Sequence, residues 1–432
     1  MFIIGVLTRT GENALYLFSH MRSHTSLIGH DCTSVRTQLN NILVHMPTVS
    51  SDIPKDWKAA AVIPLFKGGD TLDPNCYRPI SILPCLSKVF ESQVNKQITD
   101  HFESHRTFSA MQSGFRAGHE CTSATLKVLN DIITAIDKRH YCAAVFIDLT
   151  KAFVSVNHHI LIGRLDSLGF SNDCLAWLTN YFSDRVQCVK SAGLLSGPLA
   201  VSMGVPQGSI LGPTLFSVYI NDVALAAGDS LIHLYSDDTI LYTSGPSLDT
   251  VLTNLQTSFN AIQLSFRGLQ LLLNASKTKC VLFNRLLPAS ARPSSIPTLD
   301  GSDLEYVDNY KYLGVWLDCK LSFQTHIKHL QSKMKSRIGF LFRNKTSFTH
   351  AAKHTLVKLK ILPILDFGDV IYKIASITTQ QNGCSLSQCH PFCHQSPIHY
   401  PPLRPVRSHL LALASYLSPN PLATSYLQVS AR

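Results

Sequence analysis

The chain has 432 residues, 45% of them hydrophobic and 15% charged, with 38 Lys and Arg against 28 Asp and Glu for a net charge of +10. The length exceeds one ordinary core and asks for two or three domains or subdomains; the charge points to a polyanionic partner, nucleic acid first, or else to a generic solubilising surface. Twelve cysteines, mostly isolated in apolar segments, imply no disulfide framework and read as the reduced thiols of an intracellular protein, cytosolic or nuclear, and no stretch approaches the roughly 18 to 20 apolar residues of a membrane helix.

"MFIIGVLTRT" has too short an apolar run, with no basic region before it, to make a signal peptide. Residues 1–50 show no sustained period and end in the turn-rich "HMPTVSSDIP". His20 and His24 form half of a zinc-finger spacing, but no cysteine pair precedes them. From Trp57 the texture changes: "WKAAAVIPLFKGGD" is a short apolar strand running into a basic, glycine-containing turn, and Leu86, Val89, Phe90, Val94 and Ile98 then recur at helical spacing. Cys121 to Lys138 reads as an amphipathic helix capped by Thr122 or Ser123. "YCAAVFIDL" is a nearly all-apolar strand, of the kind buried on both faces, with Asp148 at its C-terminal end. "HHILIGRLDSLGF" and "NDCLAWLTNYFSD" follow as helices, and "VSMGVPQGSILGPTLFSVYIND" as a Gly/Pro loop feeding another. "HLYSDDTILYT" is a hairpin, succeeded by a long helix, by the strands "KCVLFN" and "YKYLGVWLD", and by two basic helical segments. Residues 374–432 lose all amphipathic period and read as a disordered tail; there Cys384, Cys389, His390, Cys393 and His394 have a spacing that fits no usual structural zinc site.

Asp237 and Asp238 stand side by side between strand-forming runs. An Asp pair between two strands is more often a turn than a site. Here, however, strand composition resumes at once, so the hairpin is tight and both acids are displayed at its tip. Adjacent like charges are costly unless a cation neutralises them. A hard divalent ion such as Mg2+, which takes oxygen ligands, removes that cost.

The order "FIDLTKAF" (146–153), "GVPQGSILGPTLFSVYIND" (204–222), "YSDDT" (235–239), "LNASKTK" (273–279) and "YLGVWLD" (312–318) resembles the reverse transcriptases of non-LTR, LINE-type retrotransposons of the Jockey and Rex-like kind. "WKAAAVIPLFKGGD" and "YRPISILP" resemble fingers motifs of the same family, and the likeness runs from about Ile53 to Tyr372. It implies an α+β right-hand polymerase, with fingers and an antiparallel palm over 51–320 and helical thumb-like segments over 321–373. The implied activity is RNA-directed DNA polymerisation with dNTPs on an RNA template and DNA primer, using two Mg2+ ions or Mn2+ in their place. A catalytically silent, nucleic-acid-binding remnant is the alternative. Neither a membrane nor a protein partner is implied.

The resemblance also assigns roles residue by residue. Asp148, Asp237 and Asp238 become the metal-holding acids, with the Leu149 carbonyl completing an oxygen shell. Phe153 becomes the aromatic gate against a ribose 2'-hydroxyl, or else plain core packing. Gln207 and Gly208 become the loop shaping the nascent base-pair pocket. Lys67 and Arg78 become grips on the incoming triphosphate, or else ordinary surface cations. Lys277 becomes a general acid toward pyrophosphate, or else a helix-end cation. Lys328, Lys333, Lys335, Arg337, Arg343 and Lys345 become a phosphate-contacting thumb face, or else a solvated one. The chain departs from the pattern at Val154, where Asp is usual, and at Ser236, where Ala is usual. Its start and end imply a truncated copy lacking the endonuclease that precedes the polymerase in full-length relatives.

Overall fold

Residues 141–147 explain the rest of the architecture. In the computed structural model, which describes residues 53–283, 295–344, 346–368 and 370–371, strand β3 (Tyr141–Ile147) is buried at every position but the first. It lies between β9 (Asp238–Gly245) and β11 (Lys279–Phe283), antiparallel to both, and β8 (Leu231–Tyr235) and β12 (Glu305–Tyr306) extend the sheet outward in the order β12-β11-β3-β9-β8. Alternate side chains of β3 enter two different cores. Ala143, Val145 and Ile147 join Phe216, Tyr219, Leu255, Phe259 and Ile262, which come from helices at Leu211–Ile220 and Leu248–Gly268. Cys142, Ala144 and Phe146 join Val128, Leu129 and Ile132 of the helix Cys121–Asp137, together with Tyr312, Val315 and Leu317. This double covering is why the strand carries no polar alternation.

A second sheet forms around β1 (Ala59–Phe66) and is assembled from distant parts of the chain. β2 (Tyr77–Ile82) pairs with β1 antiparallel, from Ala61↔Ile82 to Phe66↔Tyr77. β5 (Arg185–Ser191) runs parallel to β1 on its other side and carries the short strands β6 (Leu194–Leu195) and β7 (Leu199–Val201). The parallel β1–β5 contact spans more than a hundred residues, and nothing in the local pattern of either strand foretells it.

The helices fall close to where their apolar spacing puts them, at Cys85–Ser104, Cys121–Asp137, His158–Ser167, Asn172–Phe182, Leu211–Ile220 and Leu248–Gly268. One cap is corrected. The N-cap at 121–137 is Glu120, not Thr122 or Ser123; Ser123 sits at the third helical position, where its Oγ accepts from the Glu120 N–H at 3.0 Å. After the hairpin β13 (Asn309–Tyr312) and β14 (Val315–Asp318), the buried Asp318 carboxylate accepts from the N–H groups of Lys320, Ser322 and Phe323 and fixes the turn into the helix Gln324–Arg343. Lys328, Lys333, Lys335, Arg337 and Arg343 of that helix are exposed or half-buried, while His326 and Leu341 point inward. Lys345, the half-site His20 and His24, and the cysteine- and histidine-bearing tail lie outside the described residues. No helix among the described residues is long and apolar enough to cross a membrane.

Candidate active site

The β3–β9 register brings the acids together. Its last pair is Ile147↔Thr239, so one further step sets Asp148 across from Asp238. The turn of the β8–β9 hairpin is only Ser236 and Asp237, because Tyr235 already pairs with Asp238. The tip is therefore tighter than the sequence reading: Asp237 is in the turn, and Asp238 is the first residue of the returning strand. Ser236 adopts φ +59°, the left-handed region that favours glycine.

Asp148 is pinned through its backbone. Its N–H donates to Thr278 Oγ1 at 3.2 Å and its carbonyl accepts from the Asn274 N–H at 2.9 Å. Leu149, the other expected oxygen donor, is buried and pairs with Leu273 in the two-residue ladder of β4 (Leu149–Thr150) and β10 (Leu272–Leu273). Partial burial raises the Asp148 carboxyl above the ordinary carboxylate range, with Asp237 adding to the rise; Lys277, a hydrogen bond involving Asn274 and Lys67 oppose it. Asp238 is pushed up to about 6, chiefly by the protein packed around it and then by the charges of Asp237 and Asp148. Solvent still reaches its side chain, which places it in a crowded mouth rather than in the core.

Three acids so arranged repel one another, and the donor set is all oxygen. It suits a hard divalent cation. No three His, Cys, Asp or Glu side chains among the described residues stand close enough together to cage a metal unaided.

The remaining candidates form two groups. Lys277 and Lys67 are exposed and within electrostatic reach of Asp148. Phe153, half-buried, stacks on Phe216 at 4.4 Å and meets Phe115 edge-on at 6.3 Å; its carbonyl accepts from the Val205 N–H at 2.8 Å, tying it to the loop that carries Gln207 and Gly208. That loop lies against β2: the Gln207 carbonyl accepts from the Ser81 N–H at 2.7 Å, and a Cβ on Gly208, whose φ is +124°, would fall 2.4 Å from the Ser81 carbonyl oxygen. Glycine is required there. Arg78 stands exposed on β2 across from Leu65 and makes no hydrogen bond or ion pair among the described residues.

Several supporting residues gave no sequence signal. Segment 111–114 lies against the outer edge of β8, with Leu234 N–H donating to the Met111 carbonyl and Ser113 N–H to that of Leu234, both at 2.9 Å. Gly114 touches the hairpin turn so closely that a Cβ would lie 2.2 Å from the Ser236 nitrogen. His233, buried just before the turn, has Nε2 3.0 Å from Ser113 Oγ and Nδ1 3.1 Å from Tyr312 Oη. Burial, followed by the charges of Lys127 and His119, lowers its pKa to about 4, which keeps it a neutral bridge between the two hydroxyls. Glu91, buried on the helix Cys85–Ser104, accepts from the N–H groups of Ile210 and Leu211 and so caps the helix that follows the Gln207 loop.

Residues 67–317 match the family described as reverse transcriptase (RNA-dependent DNA polymerase). Among curated proteins, the probable RNA-directed DNA polymerase from transposon BS of Drosophila melanogaster is 32% identical over 336 residues, covering 75% of this chain and 36% of that protein. The RNA-directed DNA polymerase from mobile element jockey of Drosophila funebris is 32% identical over 338 residues, covering 75% and 36%. The putative 115 kDa protein of the type-1 retrotransposable element R1DM of Drosophila melanogaster is 27% identical over 326 residues, covering 74% and 31%. The chain spans about a third of the length of these relatives. A solved telomerase from Candida tropicalis, in complex with a fragment of telomeric RNA, aligns with a TM-score of 0.43 at 12% identity, covering 84% of this chain and 58% of that one, a likeness too slight to carry an argument. The motif order along residues 146–318, the jockey-type relatives and the family match over 67–317 agree, and the chain belongs to the reverse transcriptase family.

Proposed function

We propose that this chain is an RNA-directed DNA polymerase that adds deoxynucleotides to a primer 3'-hydroxyl on an RNA template. The observation that carries the reading is the convergence of Asp148 with Asp237 and Asp238 at one end of a sheet covered on both faces, with two of the carboxyls held above their ordinary range. In this reading the central sheet is the palm, the β1–β2–β5 sheet belongs to the fingers, and the basic helix Gln324–Arg343 is the start of the thumb. Asp148 and Asp237 would hold two divalent ions, Mg2+ or Mn2+, with Asp238 beside them and the Leu149 carbonyl as a further oxygen donor. When bound, such ions lower the pKa of the attacking hydroxyl and offset charge on the triphosphate.

The chain's own residues do the rest. Lys67 and Arg78 grip the triphosphate, and Lys277, already within electrostatic reach of Asp148, donates a proton toward the departing pyrophosphate. Phe153, backed by Phe216, presents a rigid ring to the sugar and disfavours a 2'-hydroxyl. Gln207 and Gly208 bring backbone to within van der Waals range of β2 and shape the base-pair pocket between them. Exposed Lys and Arg along Gln324–Arg343 give sequence-independent, salt-sensitive phosphate contacts.

The test is extension of a DNA primer on an RNA template with Mg2+ and dNTPs, run beside Asp237→Ala. Extension by the parent chain and none by the variant is the expected result. Failure of both, with salt-sensitive RNA binding retained by both, overturns the polymerase reading in favour of a nucleic-acid-binding remnant.

A further inference from the structure

Phe115 is a bulky aromatic where local preference would not put one. Its backbone adopts φ +57°, the left-handed region that suits glycine or asparagine, and its ring is 49% exposed. A single exposed apolar side chain is ordinary on a protein surface. One that also holds a costly backbone conformation is not, and strain of this kind persists only where the surroundings impose it.

The residues on either side impose it here. Gly114 donates its N–H to Gln112 Oε1 at 2.9 Å, and its carbonyl accepts from Ser217 Oγ at 3.3 Å. A Cβ on Gly114 would fall 2.2 Å from the Ser236 nitrogen, so the chain is pressed against the turn that carries Asp237. Arg116 makes a two-pronged pair with Glu103 at 2.8 and 2.7 Å, and its Nη1 donates to the carbonyls of Ser109 and Gln112. Both neighbours are fastened, and the backbone between them cannot relax without breaking one set of contacts.

The conformation secures a contact with the gate candidate. The Phe115 ring lies 6.3 Å from that of Phe153, with the two planes 87° apart, while Phe216 stacks on Phe153 at 4.4 Å. Phe216 is fully buried, Phe153 half-buried and Phe115 exposed, so the rings form a column from the core to the surface. The hydrogen bond from Ser217, the residue after Phe216, to Gly114, the residue before Phe115, ties the two ends of that column together. Aromatic rings at these spacings attract with a definite geometry. A stacked ring alone can slide over its neighbour; a perpendicular ring beside it opposes the slide. Phe153 can exclude one added oxygen only if its ring does not yield, and a side chain that must hold so exact a position needs support from others. We infer that Phe115 is a positioning residue for sugar discrimination, which holds Phe153 in place from the exposed end of the column and so sharpens the preference for deoxynucleotides over ribonucleotides. This rests on the polymerase reading.

The test uses the full chain with Phe115→Asn, which tolerates the left-handed backbone but lacks the ring, Phe115→Tyr, which keeps the ring, Phe153→Val, and Phe115→Asn combined with Phe153→Val. Extension by one nucleotide is measured with a dNTP and with the matching rNTP. Phe115→Asn is expected to lower the ratio of kcat/KM for dNTP over rNTP by about threefold to tenfold, mainly through a lower KM for the ribonucleotide. Phe115→Tyr is expected to keep the parent's ratio, and Phe115→Asn to leave the ratio unmoved in the Phe153→Val background. A ratio unchanged by Phe115→Asn, as a merely structural role would give, or an equal fall with and without the Phe153 ring, overturns the inference. Failure of the parent chain to extend with dNTP overturns the polymerase reading and the selectivity with it. The buttress is then decided by thermal unfolding: Phe115→Asn is expected to change Tm by different amounts in the parent and Phe153→Val backgrounds, and equal changes overturn it.

Discussion

The two main sheets of this chain are buried to very different degrees. The one holding the acids has a core on each face, whereas the one built on β1 leaves Ile63, Leu65, Phe66, Ile82, Leu194, Leu195 and Leu199 exposed, beside the equally exposed Lys67 and Arg78. The difference fits the roles the proposed function gives each sheet. Mutually repelling carboxylates hold a fixed geometry only if the strands beneath them cannot move, and dense packing on both faces supplies that stiffness. On the proposed function, cations that grip a soluble, flexible triphosphate would need reach more than rigidity, and the apolar surface around them would gain by being covered when a ligand arrives.

The largest expected effect tests this division directly. Asp148→Asn is expected to lower kcat for primer extension by about a thousandfold or more, as loss of a fixed charge at the reacting centre does, while Lys67→Ala or Arg78→Ala raises KM for dNTP by about tenfold to a hundredfold. Steady-state kinetics separate the two, and losses equal in size and kind on both sheets break the comparison. Next in size is packing. Gly114→Ala pushes a Cβ to within 2.2 Å of the Ser236 nitrogen and is expected to cost about 1–3 kcal/mol of stability. Gly197→Ala, in an exposed loop of the open sheet with nothing within 4 Å of the added carbon, stays within about 0.5 kcal/mol. Chemical denaturation measures both, and a Gly197 loss rivalling that of Gly114 removes the contrast between the packed hairpin turn and the outer loop of the open sheet.

What was legible in the sequence follows the same division. The run at 141–147 announced a doubly buried strand because every side chain had a core to enter, and the acid after it stood out against that background. The tight Asp-Asp hairpin was legible for the same reason, since Tyr235 and Asp238 pair across just two residues. The open sheet was not legible as a sheet: β5 reaches β1 across more than a hundred residues, and its half-exposed pattern has no clean alternation to betray a partner. Glu91 and His233 were missed because a buried polar residue looks, in sequence, like any surface one; only three-dimensional packing shows that Glu91 caps a helix and that His233 joins Ser113 to Tyr312. Ser236 stands out in the sequence as a departure from the usual pattern, but its left-handed backbone and its contact with Gly114 belong to the fold alone.

The smallest effect sharpens the picture of the acids themselves. Asp238 has its carboxyl raised from 3.8 to about 6 in the folded chain. Below the lower value it is protonated whether the chain is folded or not, and it costs nothing. As pH rises through the interval the unfolded chain ionises first, so folding loses stability, and above the upper value the full penalty is present. Asp238→Asn removes that penalty. In EDTA, where no cation offsets it, the variant is expected to melt higher than the parent at about pH 7.5, with the gain shrinking steadily toward about pH 4. On the proposed function, added Mg2+ is expected to reverse the ranking at the higher pH, because it would stabilise the parent by binding the folded form, whereas the variant would have given up a ligand. A gain independent of pH assigns the effect of the substitution to packing, and an Mg2+ shift equal in both proteins removes Asp238 from the cation's surroundings and leaves Asp148 and Asp237 to hold it between them.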